Sequence, residues 1–425
     1  MTFILTLFCF LSTVSIYSID LSKPLSLTDS LELARKNNPF YIAEQQNIAI
    51  ANADVTTSKL LPNPLLNNQE LIRQSPASGA LPYLPASGGR GGAWNDANRQ
   101  DWIQLTQKIP VAGQRKYSIE LALKNLQFSQ KNLVEFERNL LYIVANKWID
   151  VWFANQRLNI IKRTKEYSDD LLKINEIRLR NQVITQSEYL RTQNIVEQYE
   201  ANLASAEMAL KKESRNLQFL SGVNTEILIN VEDNKISYEK LDESKESLIQ
   251  YALGNRADIV ANKVHQEVHR VNINLQEAYV YPQPEVGVIY NPQNGSPYLG
   301  TYVTVPLPVF NRNQGEIQKS HSQLKQVMNL QEALEKQLDT DVQNAIGEYN
   351  LSKANYERYK KILETTEKVL NTVRYSYLKG GTTVIDYKDA QRSWFDAQNS
   401  FYESIFNLRK SYIQVQYVTG KIQNF

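Results

Sequence analysis

Apolar residues in the first half of the chain recur every seven positions within a strongly polar segment. Leu126, Leu133 and Leu140 follow this spacing, and Phe136 and Ile143 reinforce it. A seven-residue repeat is typical of helices that pack side by side as coiled coils. The pattern predicts one continuous helix over residues 112–180, about 100 Å long at roughly 1.5 Å per residue.

The same plan appears twice along the chain, which indicates a tandem duplication. Pro110 and Pro308 open the two long helical segments, and Gly222 and Gly420 close the helices that follow; both pairs are 198 positions apart. The duplication predicts a second long helix over residues 313–379. Shorter helices are predicted at residues 28–60, 186–221, 243–278 and 384–419, and the two repeats at residues 19–222 and 244–425, with a linker at 223–243.

Local signals mark where the helices begin and end. The side-chain oxygen of Thr28 or Asp29 can accept a hydrogen bond from a free backbone N–H at the start of the first helix. Pro62–Pro64 ends this helix, because proline lacks the N–H donor and restricts the residue before it. A match of Asn37–Pro39 with Asn255–Ala257 extends the duplication to the beginning of each repeat.

Alternating apolar and polar residues predict two β-strands in each repeat. The second repeat has strands at residues 285–290 and 298–305, and the first has matching strands near residues 65–73 and 101–109. An Asn-Gly pair between the second-repeat strands is a hairpin signal, because both turn residues need positive φ. The first-repeat connection is longer and rich in Gly, Pro, Ala and Ser at residues 75–98, which is typical of an exposed loop.

The first residues of the chain have the composition of a secretory signal peptide. Residues 3–17 are apolar, about the right length for such a segment, and too short for a bilayer span, which takes about 20 residues. No Lys or Arg precedes them, and the predicted signal covers residues 1–18. Cys9 lies inside it after Phe8, a poor fit to a lipoprotein signal. The mature chain is then expected to lack cysteine, which excludes disulfides and thiol chemistry.

Charge and composition exclude further classes of protein. The chain has 47 basic and 45 acidic side chains, so no basic excess is present to bind nucleic acid by counterion release. No later run of about 18 apolar residues predicts a membrane helix. Tyrosine is frequent, at 24 residues, which suits long, water-lined surfaces better than one compact core. The predicted fold is mainly α with a small β part.

The four predicted strands need partners from other subunits. Small closed barrels take about eight strands, and open strand edges cannot lie in lipid because unpaired backbone groups cost too much there. A secreted chain with four alternating strands therefore indicates a barrel shared among subunits, with eight strands from two chains or twelve from three. The side chains predicted to face lipid are Val286, Val288, Leu299, Val303 and Val305.

Several short motifs, in a duplicated order, resemble TolC-type outer-membrane efflux proteins over nearly all of the chain after the signal segment. These motifs are Ala34–Pro39, Leu61–Pro64, Gln107–Arg115, and the spacing of Tyr377, Gly380 and Asp386. The resemblance implies a homotrimer with a twelve-stranded barrel in outer-membrane lipid and an α-helical barrel in the periplasm.

The resemblance also implies a role and partners. The trimer would passively export cargo for an inner-membrane pump, of the resistance-nodulation-division or ABC type, joined through a periplasmic adaptor protein. Pro110–Arg115 resembles the heavy-metal efflux branch of the family. Two alternatives stay open: the outer-membrane component of type I protein secretion, and a periplasmic coiled-coil scaffold whose β regions are only linkers.

By the resemblance, the two breaks between helices are periplasmic tips that close the duct and bind the adaptor. Glu188 and Asp386 lie just past the breaks and Tyr377 just before one. Some family members carry a latching arginine near the position of Thr382; here either Arg178 or Arg180 would replace it, or the latch differs. In the alternative interpretation, the two carboxylates only cap their helices. The residues predicted to contact the adaptor are Asn181, Gln182, Val183, Ile184, Gly380, Gly381, Thr382 and Thr383.

Other candidate sites are weaker. His265 and His269 are four residues apart on a predicted helix, a spacing that can bind metal. No third ligand is evident, so a helix face is the preferred interpretation. Trp148 and Trp152 are interpreted as packing residues. No nucleophile–base pair stands out, and no enzymatic activity, cofactor or metal site is predicted.

Overall fold

The computed structural model of the chain describes residues 24–72, 99–224, 228–229, 241, 243–293 and 296–424. The predicted signal segment with Cys9, the loop at residues 75–98, the Asn294-Gly295 turn and most of the predicted linker lie outside these residues. Within the described part, none of the helices combines the length and apolar character that a membrane crossing requires.

Helices dominate the described residues, and four antiparallel strands complete them, so the predicted fold class is confirmed. The helices are α1 (Leu27–Asn37), α2 (Pro39–Lys59), α3 (Gln114–Arg180), α4 (Gln186–Ser221), α5 (Lys245–Asn255), α6 (Ala257–Ala278), α7 (Gln314–Leu378) and α8 (Val384–Thr419). The strands are β1 (Leu65–Ile72), β2 (Arg99–Lys108), β3 (Glu285–Gln293) and β4 (Ser296–Thr304), and a short 3₁₀-helix follows at Lys421–Asn424.

The long helices begin slightly later than predicted. Ala112 and Asn313 have left-handed backbone conformations, with φ of 56° and 60°, so neither residue can belong to a right-handed helix. Helix α3 therefore begins at Gln114 and α7 at Gln314. Helices α4 and α8 begin and end at the predicted residues.

The first predicted helix, residues 28–60, is two helices in the structure. Asn38 separates them: its side-chain oxygen accepts hydrogen bonds from the backbone N–H of Phe40 and Tyr41, each at 3.0 Å. Its amide donates to the Leu220 carbonyl at 2.8 Å. Residue 38 is extended because proline at 39 disfavours a helical conformation before it, and Pro39 begins α2, where a missing N–H is harmless.

The second repeat has the same break, and the prediction of one helix over residues 243–278 was wrong there too. Arg256 lies between α5 and α6 with an extended backbone. Its guanidinium pairs with Asp258, Nη2 to Oδ2 at 2.9 Å, and is almost fully buried. The sequence match of Asn37–Pro39 with Asn255–Ala257 thus marks a duplicated helix break.

The cap of the first helix also differs from the prediction. Ser26, rather than Thr28 or Asp29, is the N-cap residue, and its hydroxyl accepts from the Asp29 N–H at 3.1 Å. Asp29 accepts in return from the Ser26 N–H at 3.0 Å. The two residues form a capping box, in which the acidic residue occupies the third helical position.

The described residues fall into two compact units. The bounds along the chain are Met1–Ala43, Phe136–Ala252 and Leu338–Phe425 for the first unit, and Glu44–Glu135 and Leu253–Gln337 for the second. Each unit takes segments from both halves of the duplicated sequence. The division into two repeats therefore remains a prediction about the sequence, and each unit is described by itself.

The core of the first unit surrounds Trp148. Trp148 is fully buried, and its indole N–H donates to the Leu25 carbonyl at 3.3 Å. Trp152 is also buried and lies against the guanidinium of Arg409, 4.1 Å from the ring centre. Both tryptophans pack as the sequence predicts. Other fully buried side chains are Leu31, Leu141, Ile149, Leu217 and Ile413.

In the second unit the strands form one antiparallel sheet in the order β1-β2-β3-β4. Val286 lies opposite Val303, and Val288 lies opposite Thr301 on one side and Leu105 on the other. Directly opposite residues share a face of the sheet. Gly287 is required by close approach, because a Cβ there would lie 2.2 Å from the Leu105 carbonyl oxygen.

Two glycines end α4 and α8 in the same way. Gly222 and Gly420 both adopt the left-handed conformation, with φ of 65° and 78°. This C-terminal cap favours glycine because a Cβ is strained there. Gly222 has a second constraint: a Cβ at this position would lie 2.1 Å from the Asn37 carbonyl oxygen at the end of α1.

Replacing Gly222 with alanine should therefore destabilise the protein. We expect a loss of about 2–4 kcal/mol, combining left-handed strain with overpacking against α1. The thermal unfolding of the helices, followed by circular dichroism in detergent, would measure it. Gly254→Ala is the matched control, since among the described residues no atom beyond its own helical turn lies within 4 Å of the Cβ it would add. Equal melting temperatures for the two variants would contradict the close approach of α1 and α4.

Candidate functional site

The first helix break joins α3 to α4 through a capping box. Thr185 is the N-cap residue, and its hydroxyl accepts from the Glu188 N–H at 3.2 Å. The Glu188 carboxylate accepts from the Thr185 N–H at 2.8 Å. The chain reverses through Gln182, whose φ is 59°. Glu188 therefore satisfies free donors at the helix start, as the capping interpretation predicts.

The second break, between α7 and α8, repeats this arrangement. Thr383 is the N-cap residue, and its hydroxyl donates to Asp386 Oδ2 at 2.6 Å. The Thr382 hydroxyl donates to the same oxygen at 2.7 Å. Hydrogen bonds from Thr383 and Thr382 lower the pKa of the exposed Asp386 carboxyl below its usual range. The carboxylate thus keeps its negative charge at the tip over a wide pH range.

Tyr377 lies just before the second break. It is buried between two helical hairpins, one formed by α3 and α4 and the other by α7 and α8. Its hydroxyl donates to Asn175 Oδ1 on α3 at 2.7 Å. Arg178 covers the ring, with its guanidinium carbon 4.2 Å from the ring centre, and donates to the Tyr377 carbonyl at 3.1 Å. Burial raises the pKa of Tyr377, although the Arg178 charge opposes the rise. Tyr377 therefore stays a neutral hydrogen-bond donor.

Asn175 connects this tyrosine to the first helix break. Its side-chain amide donates to the Thr192 hydroxyl at 3.0 Å, and that hydroxyl donates to the Glu188 carbonyl at 3.0 Å. Asn175 and Thr192 are both buried. A continuous chain of hydrogen bonds therefore runs from Tyr377 on α7, through α3, to the first turn of α4. We call these four residues the tip network.

Apolar and aromatic side chains surround the tip network. Tyr387 of α8 stacks on Tyr377 with ring centres 5.4 Å apart and planes 2° from parallel. Arg374 lies over the ring of Tyr167, and its guanidinium carbon is 5.5 Å from the ring centre. The buried members of this cluster are Leu171, Leu370, Tyr377, Val384, Tyr387, Ala390 and Trp394. The dry surroundings strengthen the hydrogen bonds inside them.

The structure separates the two arginines that the sequence treats as alternatives. Arg178 contacts Tyr377, whereas Arg180 is exposed and pairs with Glu176 one turn before it, at 2.6 Å. Asp386 and Tyr377 share no hydrogen bond in the described residues; each has its own partners. Most of the predicted adaptor-contacting residues are exposed, with Val183 at 67 %. Ile184 and Thr382 are half-buried.

Sequence reasoning missed Asn175, Thr192 and Tyr387. Asn175 and Tyr377 are 202 positions apart, so neither local spacing nor the duplication links them. A weak signal existed: Asn175 follows the buried Leu171 by one helical turn and thus lies on an apolar face. A polar residue on such a face usually has a hydrogen-bond partner.

The apolar face of the sheet is the other candidate site. Leu299 and Val303 of β4 are 78 % and 64 % exposed, and Val288 of β3 is 50 % exposed. Val286 is half-buried, and Val305 follows the last residue of β4. The register places the strand members of this set on one face. Such a contiguous apolar surface marks an interaction site.

Comparison with known proteins decides the family. A sequence profile described as outer membrane efflux protein matches residues 31–223 and 248–421, most of the chain and both halves of the duplication. This chain belongs to the outer membrane efflux protein family. The resemblance that the sequence motifs indicate is confirmed, and the protein is an outer-membrane efflux channel of the TolC family rather than an enzyme.

Individual members of the efflux protein family are distant but match over nearly their full length. The cobalt-zinc-cadmium resistance protein CzcC of Cupriavidus metallidurans is 20 % identical over 91 % of this chain and 88 % of its own. The outer membrane protein TolC of Vibrio cholerae is 20 % identical over 93 % and 91 %. The crystal structure of a membrane protein from Pseudomonas aeruginosa has a TM-score of 0.76 at 16 % identity, covering 93 % and 92 %, and shares the fold.

Removing the centre of the tip network should destabilise this efflux protein. Asn175→Ala leaves the buried Tyr377 hydroxyl without an acceptor, at a cost of about 1–3 kcal/mol. Asn159→Ala on the same helix is the control, since Asn159 is exposed and its hydrogen bond in the described part of the chain goes to Asn155 one turn away. Thermal unfolding of the purified protein in detergent would compare them. Equal losses in the two variants would show that the network contributes nothing to stability.

Proposed function

We propose that three copies of this chain form the outer-membrane exit duct of a tripartite efflux system. Proteins of this family form trimers in efflux systems. The observation that carries the proposal is the four-stranded sheet, whose edge strands are β1 and β4. Unpaired edge groups are too costly in lipid, so β1 of one copy must pair with β4 of the next. Three copies then supply a closed barrel of twelve strands.

The apolar face of the sheet supports an assignment of which side of this barrel contacts lipid and which side lines the lumen. Val288, Leu299 and Val303 are exposed on one face. Tyr298, Gly300 and Tyr302 alternate with them on the other face. In a membrane barrel, apolar side chains face lipid and polar ones face the lumen. We therefore assign Val286, Val288, Leu299, Val303 and Val305 to the lipid surface.

The helix breaks support a role as periplasmic tips that contact an adaptor. Their residues are mostly exposed, while the apolar and aromatic side chains that surround the tip network behind them are buried. A surface of this kind is free to bind without unfolding the helices. The adaptor would connect the duct to an inner-membrane pump, which supplies the energy, because channels of this family are not enzymes.

The cargo we propose is divalent heavy-metal ions. The relative from Cupriavidus metallidurans is named for cobalt, zinc and cadmium resistance, and the Pro110–Arg115 segment resembles that branch of the family. The negative charge expected at the tip is a second reason for this cargo. Three copies of Glu188 and of Asp386 would place six carboxylates around the aperture, and such a ring attracts cations.

The tip network supports a gate that is closed at rest. The hydrogen bond from Tyr377 to Asn175 holds α7 against α3, and the Arg178 guanidinium covers the same ring. Opening the aperture would separate the two hairpins and expose these groups to water. Glu188 and Asp386 cap their helices and also supply charge, so both interpretations of these residues hold together in this proposal.

Loss of the gate contacts should change the channel current. Tyr377→Phe removes a buried hydrogen bond, which shifts the closed–open balance by about 1–3 kcal/mol, and Asp386→Ala removes charge from the ring. We expect the double variant to show higher single-channel conductance in planar bilayers and weaker cation selectivity.

The control makes the same changes at neighbouring exposed residues. Tyr375→Phe with Asp389→Ala alters one exposed tyrosine and one exposed aspartate that lie outside the tip network. Its conductance and selectivity should equal those of the unmodified protein. A Tyr377/Asp386 double variant with unmodified conductance and selectivity would mean that these residues only stabilise helices and that the gate lies elsewhere.

The lipid-facing assignment has its own test. Val303→Arg should cost about 2–4 kcal/mol if residue 303 lies near the bilayer midplane, and should lower the yield of heat-resistant trimers in outer-membrane fractions. Tyr302→Arg is the matched control, because the next residue along β4 faces the opposite side. Normal trimer yield from Val303→Arg, or equal loss from both variants, would contradict the assignment.

A further inference from the structure

Helix α6 in the second unit carries two of the three histidines of the chain. His265 and His269 are four residues apart and therefore lie on one face of the helix. Their ring centres are 4.6 Å apart, with planes inclined by 52°. The helix thus presents two imidazole rings side by side.

An aromatic side chain on α3 holds one of these rings. Phe128 stacks on His265 with ring centres 4.3 Å apart and planes 7° from parallel. Such contact fixes the orientation of the imidazole plane and limits its rotation. The pair is therefore ordered before any ligand arrives, which lowers the entropic cost of binding.

The described residues leave the nitrogens of both rings without hydrogen bonds. Among the residues that the structure describes, neither imidazole makes a hydrogen bond, and His269 Nδ1 is buried without a partner. Because Nδ1 is buried, an ion arriving from solvent would bind His269 through its other ring nitrogen, Nε2. An imidazole nitrogen without a hydrogen-bond partner has a lone pair that can bind a metal ion when the ring is neutral.

We propose that His265 and His269 form a binding site for one divalent transition-metal ion. Neutral imidazole nitrogen is a ligand for Zn²⁺, Ni²⁺ and Cu²⁺, and among these Cu²⁺ binds most tightly to a given nitrogen site. The spacing of four residues on a helix brings two such nitrogens to a single ion. This inference does not depend on the proposed cargo.

The site is a two-ligand site open to solvent. Among the described residues, no third His, Cys, Asp or Glu joins a group that could hold a metal. Water molecules complete the coordination shell, and both histidines are only half-buried, so an ion can reach them. In the sequence analysis, the absence of a third ligand favoured the interpretation that the two histidines only form part of a helix face. The unused nitrogens and the ordered ring pair change that interpretation.

Titration with Cu²⁺ tests the site on the purified, assembled protein in detergent. Calorimetry should show one site per chain, and electron paramagnetic resonance should show two imidazole nitrogens on the bound ion. His265→Ala and His269→Ala should each weaken binding at least about 10-fold, because the second ligand of a chelate acts at high effective concentration. His321→Ala is the control, since His321 is exposed on α7.

Each other outcome would overturn the site. Unchanged Cu²⁺ affinity in either single variant would show independent surface binding, and loss of binding in His321→Ala would place the ion elsewhere. A spectrum with only one nitrogen would exclude the pair. Circular dichroism would verify folding, and His269→Gln, which keeps a polar side chain of similar length at the half-buried position, should lose Cu²⁺ in the same way.

Discussion

The packing of α8 against the part of α3 that runs from Phe136 to Arg180 is the interaction on which the first unit depends. Its contacts recur along both helices, from the Arg138 guanidinium on the Tyr417 ring at 4.1 Å to the edge-on pair of Tyr167 and Trp394 at 5.7 Å. Between them, Lys410 pairs with Asp150 at 2.8 Å. Because α3 comes from the first half of the sequence and α8 from the second, neither half completes this core alone.

Aromatic rings explain how such polar helices pack. Tyr142 stacks on Tyr417 with ring centres 4.2 Å apart, and Phe153 lies 4.6 Å from Phe406. An aromatic side chain buries a large area and keeps, in tyrosine, a polar end that can face water. The Tyr417 hydroxyl, for example, donates a hydrogen bond to Asn139 Oδ1 at 2.7 Å. The high tyrosine content therefore serves helix–helix contacts as well as wet surfaces.

In the tip network, one buried polar side chain, Asn175, fixes the position of the α7–α8 hairpin relative to the α3–α4 hairpin. Asn175 can be satisfied only when Tyr377 and Thr192 both lie beside it. Apolar contacts such as the Tyr377–Tyr387 stack supply burial but little directional preference. A fully bonded polar group inside an apolar cluster favours one arrangement over its neighbours. In the gate proposed above, separation of the hairpins would break these bonds together.

From the amino-acid pattern alone follow the class of the elements, their order and most of their ends. Seven-residue spacing, strand alternation and a constant offset between repeats are local or periodic signals. Glycine is also a local signal, and α4 and α8 end where glycine permits a left-handed residue. The breaks at Asn38 and Arg256 were visible as a repeated motif, but their meaning depended on long-range contacts. Tertiary structure alone decided which residues meet: Asn175 with Tyr377, Phe128 with His265, and Gly222 with the end of α1. These pairs lie far apart in sequence, and no periodicity of one helix specifies the face that another helix will bury.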